Sequence, residues 1–238
     1  MKNKLALINP YTSKDILERL KIEFKSNIIF IPVREANDVR FPLDSHPDIV
    51  TTASKNTIIH CPTLSKDTLK QLKENGVVTF KGENILNKEY PHDAFYNCLI
   101  MNDLFIHRLD ITDKTILCFL KESGIKRLIN VNQGYTRCSI IPVSENAFIT
   151  EDAGIAKTLH EEDLNVCLIS KGHIKLENYN FGFIGGTCTT FEDTLYFFGS
   201  IEKHPDFIKI KKFSNKYGKK CVSLRDNDLE DFGGMFIF

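Results

Sequence analysis

The stretch DLFIHRLDITD, residues 103–113, contains the pattern that decides the fold. Asp103 is a turn residue. It is followed by the apolar residues Leu104, Phe105 and Ile106 and then by His107, a pattern typical of the second strand of a hairpin. Thr112 and Asp113 are helix-starting residues, and the apolar residues 116, 117 and 120 follow at helical spacing. A glycine at 124 and the apolar run Leu128–Val131 complete the segment. The pattern predicts a return strand, a helix and a closing strand.

The same order recurs along the chain, which indicates an internal repeat. Its turn residues are Asn56, Asp103, Asn146 and Asp193, which are 47, 43 and 47 residues apart. Each is followed by a strand pattern, a helix start and an apolar stripe. The predicted closing strands are Val77–Phe80, Leu128–Val131, Val166–Ile169 and Cys221–Leu224.

The N-terminal segment predicts a fifth unit that lacks its leading strand. Leu5–Ile8 and Ile28–Val33 have strand patterns, and residues 16, 17 and 20 form a helix face between them. The chain ends in DFGGMFIF, residues 231–238, which is a strand pattern without a unit of its own. We therefore expect the C-terminal strand to complete the first unit, since such closure removes exposed sheet edges.

The predicted fold class is α/β: a five-bladed, pseudo-symmetric propeller of repeated ββαβ units in which the C-terminal strand closes the first unit. We expect one domain over residues 1–238, because nothing resembles a linker. Its units are predicted at residues 1–40 plus 229–238, 45–87, 90–132, 134–176 and 182–227. The alternative is an ordinary α/β sandwich whose strands happen to be evenly spaced.

Composition limits the classes of function. The 238 residues are 42% hydrophobic, and 31 basic residues balance 31 acidic ones. Such a chain can bury a sizeable core, and it lacks the basic excess typical of nucleic-acid binding, so a nucleic-acid partner is not expected. No apolar run has the roughly 20 residues that a bilayer span requires. We expect a cytoplasmic protein without a signal peptide or a membrane partner.

The cysteines argue against disulfides and metal. There are seven, an odd number, and no two have the Cys-x-x-Cys spacing. We expect most to be reduced and buried, and we expect no metal site and no cofactor.

Polar residues open the units, at positions where the leading strands of a ring would converge. Asp48, Asp93 and Cys138 are each 45 residues apart and open successive units. The fifth unit opens with Gly185-Gly186-Thr187-Cys188, and Asp231 precedes the closing strand. A plain apolar core does not tolerate unpaired polar groups, so these positions predict a polar layer or a pocket on the axis.

These stretches resemble a known fold family. The repeat, the paired-glycine openings and the returning C-terminal strand are similar to the pentein, or guanidino-group-modifying, fold of arginine deiminases, amidinotransferases and dimethylarginine hydrolases. A ribosome anti-association factor shares that fold without catalysis. The sequences HPDIV, YPHDAFYN, QGYTRCSI, ITEDAGIA and GFIGG resemble an uncharacterised bacterial family of this fold over essentially the whole chain.

The resemblance implies a chemistry from which this chain departs at two places. Pentein enzymes attack a guanidine or amidine carbon with a cysteine thiolate, which a histidine assists and acidic residues position. That cysteine follows a glycine-rich opening in the last unit, and residues 233–238 contain none. A His-x-Asp pattern is expected in the preceding opening, where Gly185-Gly186-Thr187-Cys188 stands instead. The acidic clamp is matched in kind by Asp48 and Asp93, since a carboxylate can bind a guanidinium bidentately.

Another cysteine is a candidate nucleophile. Cys138 follows Arg137, whose charge is expected to lower the thiol pKa, and His46 or His92 is the candidate base. Cys188 lies among threonines after a glycine pair. Structural roles remain open: Cys138 as a buried strand residue, Cys188 as a loop residue, Arg137 paired with Asp48 or Asp93, and His46 bracing a turn.

The leading hypothesis is an amidinotransferase- or deiminase-like pentein with an axial polar pocket for a small cationic, guanidine-bearing or amide-bearing metabolite. The alternative is a non-catalytic module that binds a protein or ribosomal partner. The candidate catalytic residues are Cys138, His46 and His92. The candidate ligand-binding residues are Asp48, Asp93, Asn97, Arg137, Gly185, Gly186, Thr187, Cys188 and Asp231.

Overall fold

Five three-stranded sheets with one common topology make up the fold of the described residues, which are 3–34 and 39–238 of a computed structural model. In each sheet the middle strand pairs antiparallel with a leading strand and parallel with a closing strand. The strands are β1 (Lys4–Ile8), β2 (Ile28–Pro32), β3 (Thr51–Ser54), β4 (Thr57–His60), β5 (Val78–Lys81), β6 (Leu99–Met101), β7 (Leu104–His107), β8 (Arg127–Asn130), β9 (Ile140–Ser144), β10 (Ala147–Thr150), β11 (Asn165–Leu168), β12 (Cys188–Phe191), β13 (Thr194–Phe197), β14 (Lys220–Ser223) and β15 (Phe236–Ile237).

A helix connects the middle strand of each sheet to its closing strand, and two four-residue helices lie at unit openings. In the described part of the chain the α-helices are α1 (Lys14–Glu23), α2 (Pro47–Val50), α3 (Lys66–Glu74), α4 (Lys114–Glu122), α5 (Thr136–Ser139), α6 (Ala153–Glu161) and α7 (Phe207–Lys216). Short 3₁₀ turns lie at Leu43–Ser45, Leu109–Ile111, Ile184–Thr187 and Ile201–Lys203.

The predicted repeat is confirmed in its order of elements. The side chains of Ser65, Asp113 and Asp152 accept backbone hydrogen bonds at the starts of α3, α4 and α6, as their helix-start patterns predicted. Gly76 and Gly124 have φ angles of +81° and +72° just beyond α3 and α4, where left-handed backbone ends a helix. The closing strands β5, β8, β11 and β14 lie within one residue of their predicted bounds.

The middle strands are the most buried part of each sheet, because neighbours cover both of their edges. All four residues of β7, β10 and β13 are buried. The closing strands are largely exposed in β5 and β8, which have a neighbour on one edge only. The apolar stripes of the connecting helices are buried, as Ile116 and Leu120 of α4 are, and α3, α6 and α7 each contact their own sheet and the closing strand of the preceding one.

The C-terminal strand completes the first sheet, as predicted. Sheet order is β15-β1-β2, and β15 runs antiparallel to β1 with Ala6 opposite Ile237. Beyond β15, Phe238 and Leu5 exchange two backbone hydrogen bonds, of 2.8 and 3.0 Å. The first unit is therefore assembled from both ends of the chain. No helix among the described residues has both the length and the apolar character that crossing a bilayer demands.

Replacing Phe238 with proline tests this closure. Phe238→Pro removes the N–H that donates to the carbonyl of Leu5, so we expect it to lower the free energy of unfolding by about 1–2 kcal/mol more than Phe238→Ala does. Chemical denaturation of the two variants measures the difference. Equal stability of the proline and alanine variants would show that the backbone pairing contributes nothing.

Candidate functional site

Unit openings converge on a set of buried polar side chains, which we call the polar layer: His46, Asp48, Asn97, Cys138 and Asp231. None is more than 3% exposed. His46 and Asp48 flank the start of α2, Cys138 lies in α5, Asn97 precedes β6, and Asp231 precedes β15. Four of the five openings thus contribute to one layer. Asp48 and Cys138 were singled out by their 45-residue spacing, and Asn97 and Asp231 only as residues of the openings.

The side-chain amide of Asn97 joins three units. Its Nδ2 donates to the backbone oxygen of Asp48 at 2.8 Å and to the Sγ of Cys138 at 2.9 Å. Its Oδ1 accepts from the backbone N–H of Cys138 at 3.1 Å. The backbone oxygen of Asn97 accepts from the N–H of Arg137, also at 3.1 Å. Asn97 therefore acts as a clamp that fixes α2 and α5 relative to each other.

Cys138 is a buried hydrogen-bond donor. Its Sγ lies 3.2 Å from Oδ2 of Asp48. Burial raises the pKa of the Cys138 thiol, and the nearby carboxyl groups of Asp48 and Asp231 raise it further. Burial also raises the pKa of Asp48 to about 6, against the opposing effects of the Arg137 charge and the thiol hydrogen bond. The expected lowering of the thiol pKa by Arg137 does not occur, because burial and the two carboxyl groups favour the neutral thiol.

Asp231 and His46 form the second half of the layer. Oδ1 of Asp231 lies 3.7 Å from Nδ1 of His46 and accepts from the N–H of Gly233 at 2.9 Å, while Oδ2 accepts from the N–H of Phe183. Burial and then repulsion from Asp48 raise the pKa of Asp231 to about 8. Burial lowers the pKa of His46 to about 3, so the imidazole is neutral at physiological pH. Neither His46 ring nitrogen has a hydrogen-bond partner among the described residues.

The glycines at the openings permit close backbone approach to the layer. A Cβ on Gly186 would lie 1.8 Å from Oδ1 of Asp231, and one on Gly185 would lie 2.4 Å from the backbone oxygen of Arg137. Gly233 has a φ of +74°, and a Cβ there would lie 2.4 Å from Cβ of His46. These packing distances account for Gly185 and Gly186 without a ligand.

Arg137 is buried without an ionic partner among the described residues. Its Nη1 donates to the backbone oxygens of Ile140 at 3.2 Å and Gly185 at 3.3 Å. Neither Asp48 nor Asp93, the two partners proposed from the sequence, forms an ion pair with it, although its charge lowers the pKa of Asp48 from a distance. Backbone carbonyls of the openings bind Arg137 instead.

Asp93 lies outside the polar layer, although it has the same spacing as Asp48. Its Oδ2 accepts from the hydroxyl of Tyr135 at 2.5 Å, and its Oδ1 has no described partner. Burial raises the pKa of the carboxyl group. The Tyr135 ring contacts those of Tyr90 and Phe183, with centroids 5.5 and 5.8 Å apart. The neighbouring tyrosine, which the sequence did not single out, therefore determines where this carboxyl group points.

The structure does not bring the remaining sequence candidates into the layer. His92 is exposed and contacts the ring of Phe95. Cys188 begins β12 inside an apolar cluster, and burial raises its thiol pKa. Thr187 is also buried, and its hydroxyl donates to the backbone oxygen of Ile184. Cys188 and Thr187 therefore have structural roles. His92 is exposed whereas Cys138 is buried, so the geometry does not support His92 as its base.

Sequence reasoning missed Glu151. It follows the buried strand β10 and is 6% exposed; Oε1 accepts from the N–H of Ile184, and Oε2 has no described partner. Burial raises its pKa to about 7. Its charge also raises the pKa of Asp231, which indicates that the two groups sense each other. An acidic residue directly after a predicted middle strand was the available signal, but the pair Glu151-Asp152 is also typical of a helix start.

Two cavities open at opposite ends of the leading strands. The first, the histidine cavity, has a volume of about 210 Å³ and is lined by His46 and Asp231 together with Tyr11, Phe41 and Arg225. The second, the strand funnel, has a volume of about 400 Å³ and is lined by the leading strand of every sheet. The described residues contain no cluster of three or more side chains able to hold a metal ion.

A family model describes residues 7–236 and carries the description "Family of unknown function (DUF6873)". The chain belongs to this family. No curated protein sequence matches it. The family assignment covers all five sheets and the whole polar layer.

Solved structures show that this member of DUF6873 has the pentein fold. SxtG, an amidinotransferase from Microseira wollei, superposes with a TM-score of 0.55 at 11% identity and covers 93% of this chain and 88% of its own. An agmatine deiminase of C. jejuni gives 0.56 at 11% identity, with 94% and 88% covered. The DDAH of Pseudomonas aeruginosa, in complex with citrulline, gives 0.53 at 9% identity, with 94% and 92% covered. At these identities the likeness concerns the fold.

Thiol labelling tests the state of Cys138. Because burial and two carboxyl groups raise its pKa, we expect Cys138 to react with iodoacetamide only as fast as the protein unfolds, whereas the exposed Cys118 reacts at once. Peptide mapping by mass spectrometry after timed labelling measures both rates. Rapid labelling of Cys138 in the native protein would restore it as a nucleophile.

The carboxyl pair predicts a pH dependence of stability. A raised pKa in the folded state stabilises the protein at low pH, and this contribution is lost as the pH rises through the folded value. We expect the free energy of unfolding to fall by about 1–2 kcal/mol more between pH 6.5 and 9 in the wild type than in Asp231→Asn. Urea denaturation across this range measures the slope, with the exposed Asp226→Asn as control. Parallel slopes in all three proteins would show that Asp231 does not titrate there.

Proposed function

We propose that this pentein-fold protein binds a small guanidine- or amine-bearing metabolite in the histidine cavity. In this proposal the chain is one domain whose five sheets surround an axis as blades, with the polar layer on that axis. The observation that carries the proposal is a cavity with Asp231 and the unpartnered imidazole of His46 at its base. Support from the fold is general, since the structures it resembles include enzymes of guanidine compounds.

The charges of the histidine cavity favour a cation. Among the described residues, Asp231, Glu230 and Glu177 line it, against a single basic side chain, that of Arg225. Arg225 is already engaged, because its Nη2 binds Glu230 and its Nη1 donates to the hydroxyl of Ser13. A guanidinium or ammonium group would therefore meet an acidic surface with no free positive charge beside it.

Aromatic rings at the cavity also suit a cation. Tyr11 and Phe41 are 53% and 39% exposed, and their rings pack edge to face with centroids 5.5 Å apart. Phe232 lines the same cavity. Planar cations bind the faces of such rings, and the rings would cover the apolar part of a ligand such as agmatine.

His46 and Asp231 would complete recognition at the base. The neutral imidazole offers one nitrogen that can accept a ligand N–H, and its other nitrogen can donate to Oδ1 of Asp231 after a small movement from 3.7 Å. A bound cation would stabilise the ionised form of Asp231 and lower its pKa from about 8. Binding would then release a proton near neutral pH, and affinity would rise from pH 6.5 to 8.

The proposal stops at binding because the thiol chemistry of the fold lacks support here. Cys138 is a protonated donor to Asp48, and residues 233–238 provide no other cysteine. The alternative of an interaction module gains no specific support either, since the most exposed apolar side chains, Ile22 and Ile208, lie on different helices. A cytoplasmic location and a small-molecule partner remain predictions.

Calorimetric titration with arginine and citrulline tests the function. The two molecules have nearly the same shape, but only arginine has a charged guanidinium. We expect arginine or its decarboxylated relative agmatine to bind at least about tenfold more tightly than citrulline, and Asp231→Asn to weaken binding about tenfold or more.

Two controls accompany this titration. Asp226→Asn should leave affinity unchanged, because that carboxylate has a 96% exposed side chain and does not line the cavity. Titrations in two buffers of different ionisation enthalpy should reveal the released proton at pH 7. Equal affinity for citrulline, or no binding of any guanidine, would contradict the proposal.

A further inference from the structure

The strand funnel is a second cavity, separate from the histidine cavity. Its mouth lies where the hairpins turn, next to Lys55 and Glu145, and its floor contains Arg137. The histidine cavity lies at the openings, where the leading strands begin. The two share no lining residue, so a ligand in the funnel would occupy a site distinct from the proposed cation site.

Arg137 gives the funnel a buried positive charge without a paired anion. The residue is 6% exposed, and among the described residues its side chain donates hydrogen bonds only from Nη1, to two backbone carbonyls. It forms no ion pair with a described carboxylate. Buried charges are normally paired, because desolvation of a lone guanidinium costs several kcal/mol. Both remaining guanidinium nitrogens are available to a group that enters the funnel.

The charged side chains at the mouth of the strand funnel are mainly positive, like Arg137 at its floor. Lys55 and Lys219 line the rim, and Glu145 is the single acidic lining residue. Asn102 already donates to Glu145 at 2.6 Å. With Arg137, the described side chains that line the funnel have a formal charge of +2, in a chain whose side chains sum to zero. Such a concentration attracts an anion to the mouth and holds it at the floor.

The walls between rim and floor are largely apolar. They include Met101, Val143, Met235, Phe236 and Phe238. The ring of Phe236 lies beside the Arg137 guanidinium, with 6.0 Å between its centroid and Cζ. The hydroxyls of Thr189 and Thr190 donate to backbone oxygens. An apolar body therefore fits the walls better than a sugar or a polyphosphate does.

We propose that the strand funnel binds a carboxylate that carries an apolar body, such as a medium-chain acyl or arylalkyl acid. The carboxylate pairs with the free side of the Arg137 guanidinium, and the apolar body lies against Phe236, Phe238 and Met101. Bidentate pairing with a guanidinium is the strongest contact that a carboxylate makes in such a site.

Octanoate, octan-1-ol and octylamine test the proposal, because they share a chain and differ in charge. We expect octanoate to bind the full-length protein and raise its Tm, and to bind at least about tenfold more tightly than octan-1-ol or octylamine. Calorimetry measures the affinities. Binding of octan-1-ol as tight as that of octanoate would show an apolar cavity without an anion site and overturn the proposal.

Variants locate the anion. Arg137→Gln should abolish octanoate binding while leaving arginine binding in the histidine cavity intact. Because Arg137 is buried and this variant could fail to fold, Lys55→Glu and Lys219→Glu provide a second test at the rim, and each should weaken octanoate binding several-fold. Lys25→Glu is the matched control, since Lys25 and Lys55 are both exposed lysines with φ near +50°. Equal weakening by Lys25→Glu would show a bulk charge effect and refute the site.

Discussion

The amide of Asn97 is the contact on which the centre of this molecule depends. A side-chain amide has one acceptor and two donors, and Asn97 binds units on both sides of its own. The backbone of Asp48, the thiol of Cys138 and the start of α5 are all fixed through it. No water competes for these bonds at a residue with 0% exposure, and the loss of one would leave a buried group unpaired.

The fixed openings hold titratable side chains away from water, and this burial shifts the pKa values of Asp48, Asp231 and His46. Asp48 and Asp231 repel each other, so the layer is most stable when one of them is protonated. His46 is neutral because burial lowers the pKa of its imidazole to about 3. The positive charge of Arg137 offsets the one ionised carboxyl group, so the layer and Arg137 together are close to neutral. A ligand cation changes that balance, which links occupancy to protonation.

The sequence was sufficient to predict the units because local signals coincide at every repeat. Turn residues, helix starts and the glycines that end helices are short-range features. At three helices the side chain before the first turn accepts a backbone hydrogen bond, as its residue type predicts. Equal spacing also placed Asp48 and Cys138 together, at 3.2 Å. The one-residue errors at closing strands arise because these strands are exposed and their apolar pattern is weak.

Other features could not be read from spacing, because they depend on neighbours distant in sequence. Asp93 has the same position in the repeat as Asp48. Its carboxyl group, however, accepts a hydrogen bond from the hydroxyl of Tyr135, which belongs to the next unit. The helices α2 and α5 have four residues each, too few to show a helical period. In the sequence Glu151 resembles part of a helix start. Its carboxylate accepts a hydrogen bond from the backbone N–H of Ile184, a residue 33 positions away that only the fold brings near.

Arg137 explains why one convergence of openings yields two cavities. Its main chain belongs to the clamp made by Asn97, while its side chain binds carbonyls of neighbouring elements and reaches the strand funnel. The Arg137 guanidinium lies toward the strand funnel, and the carboxyl groups of Asp48 and Asp231 lie in the polar layer, so groups of opposite charge occupy different positions along the leading strands. The acidic end therefore suits a cation and the basic end an anion.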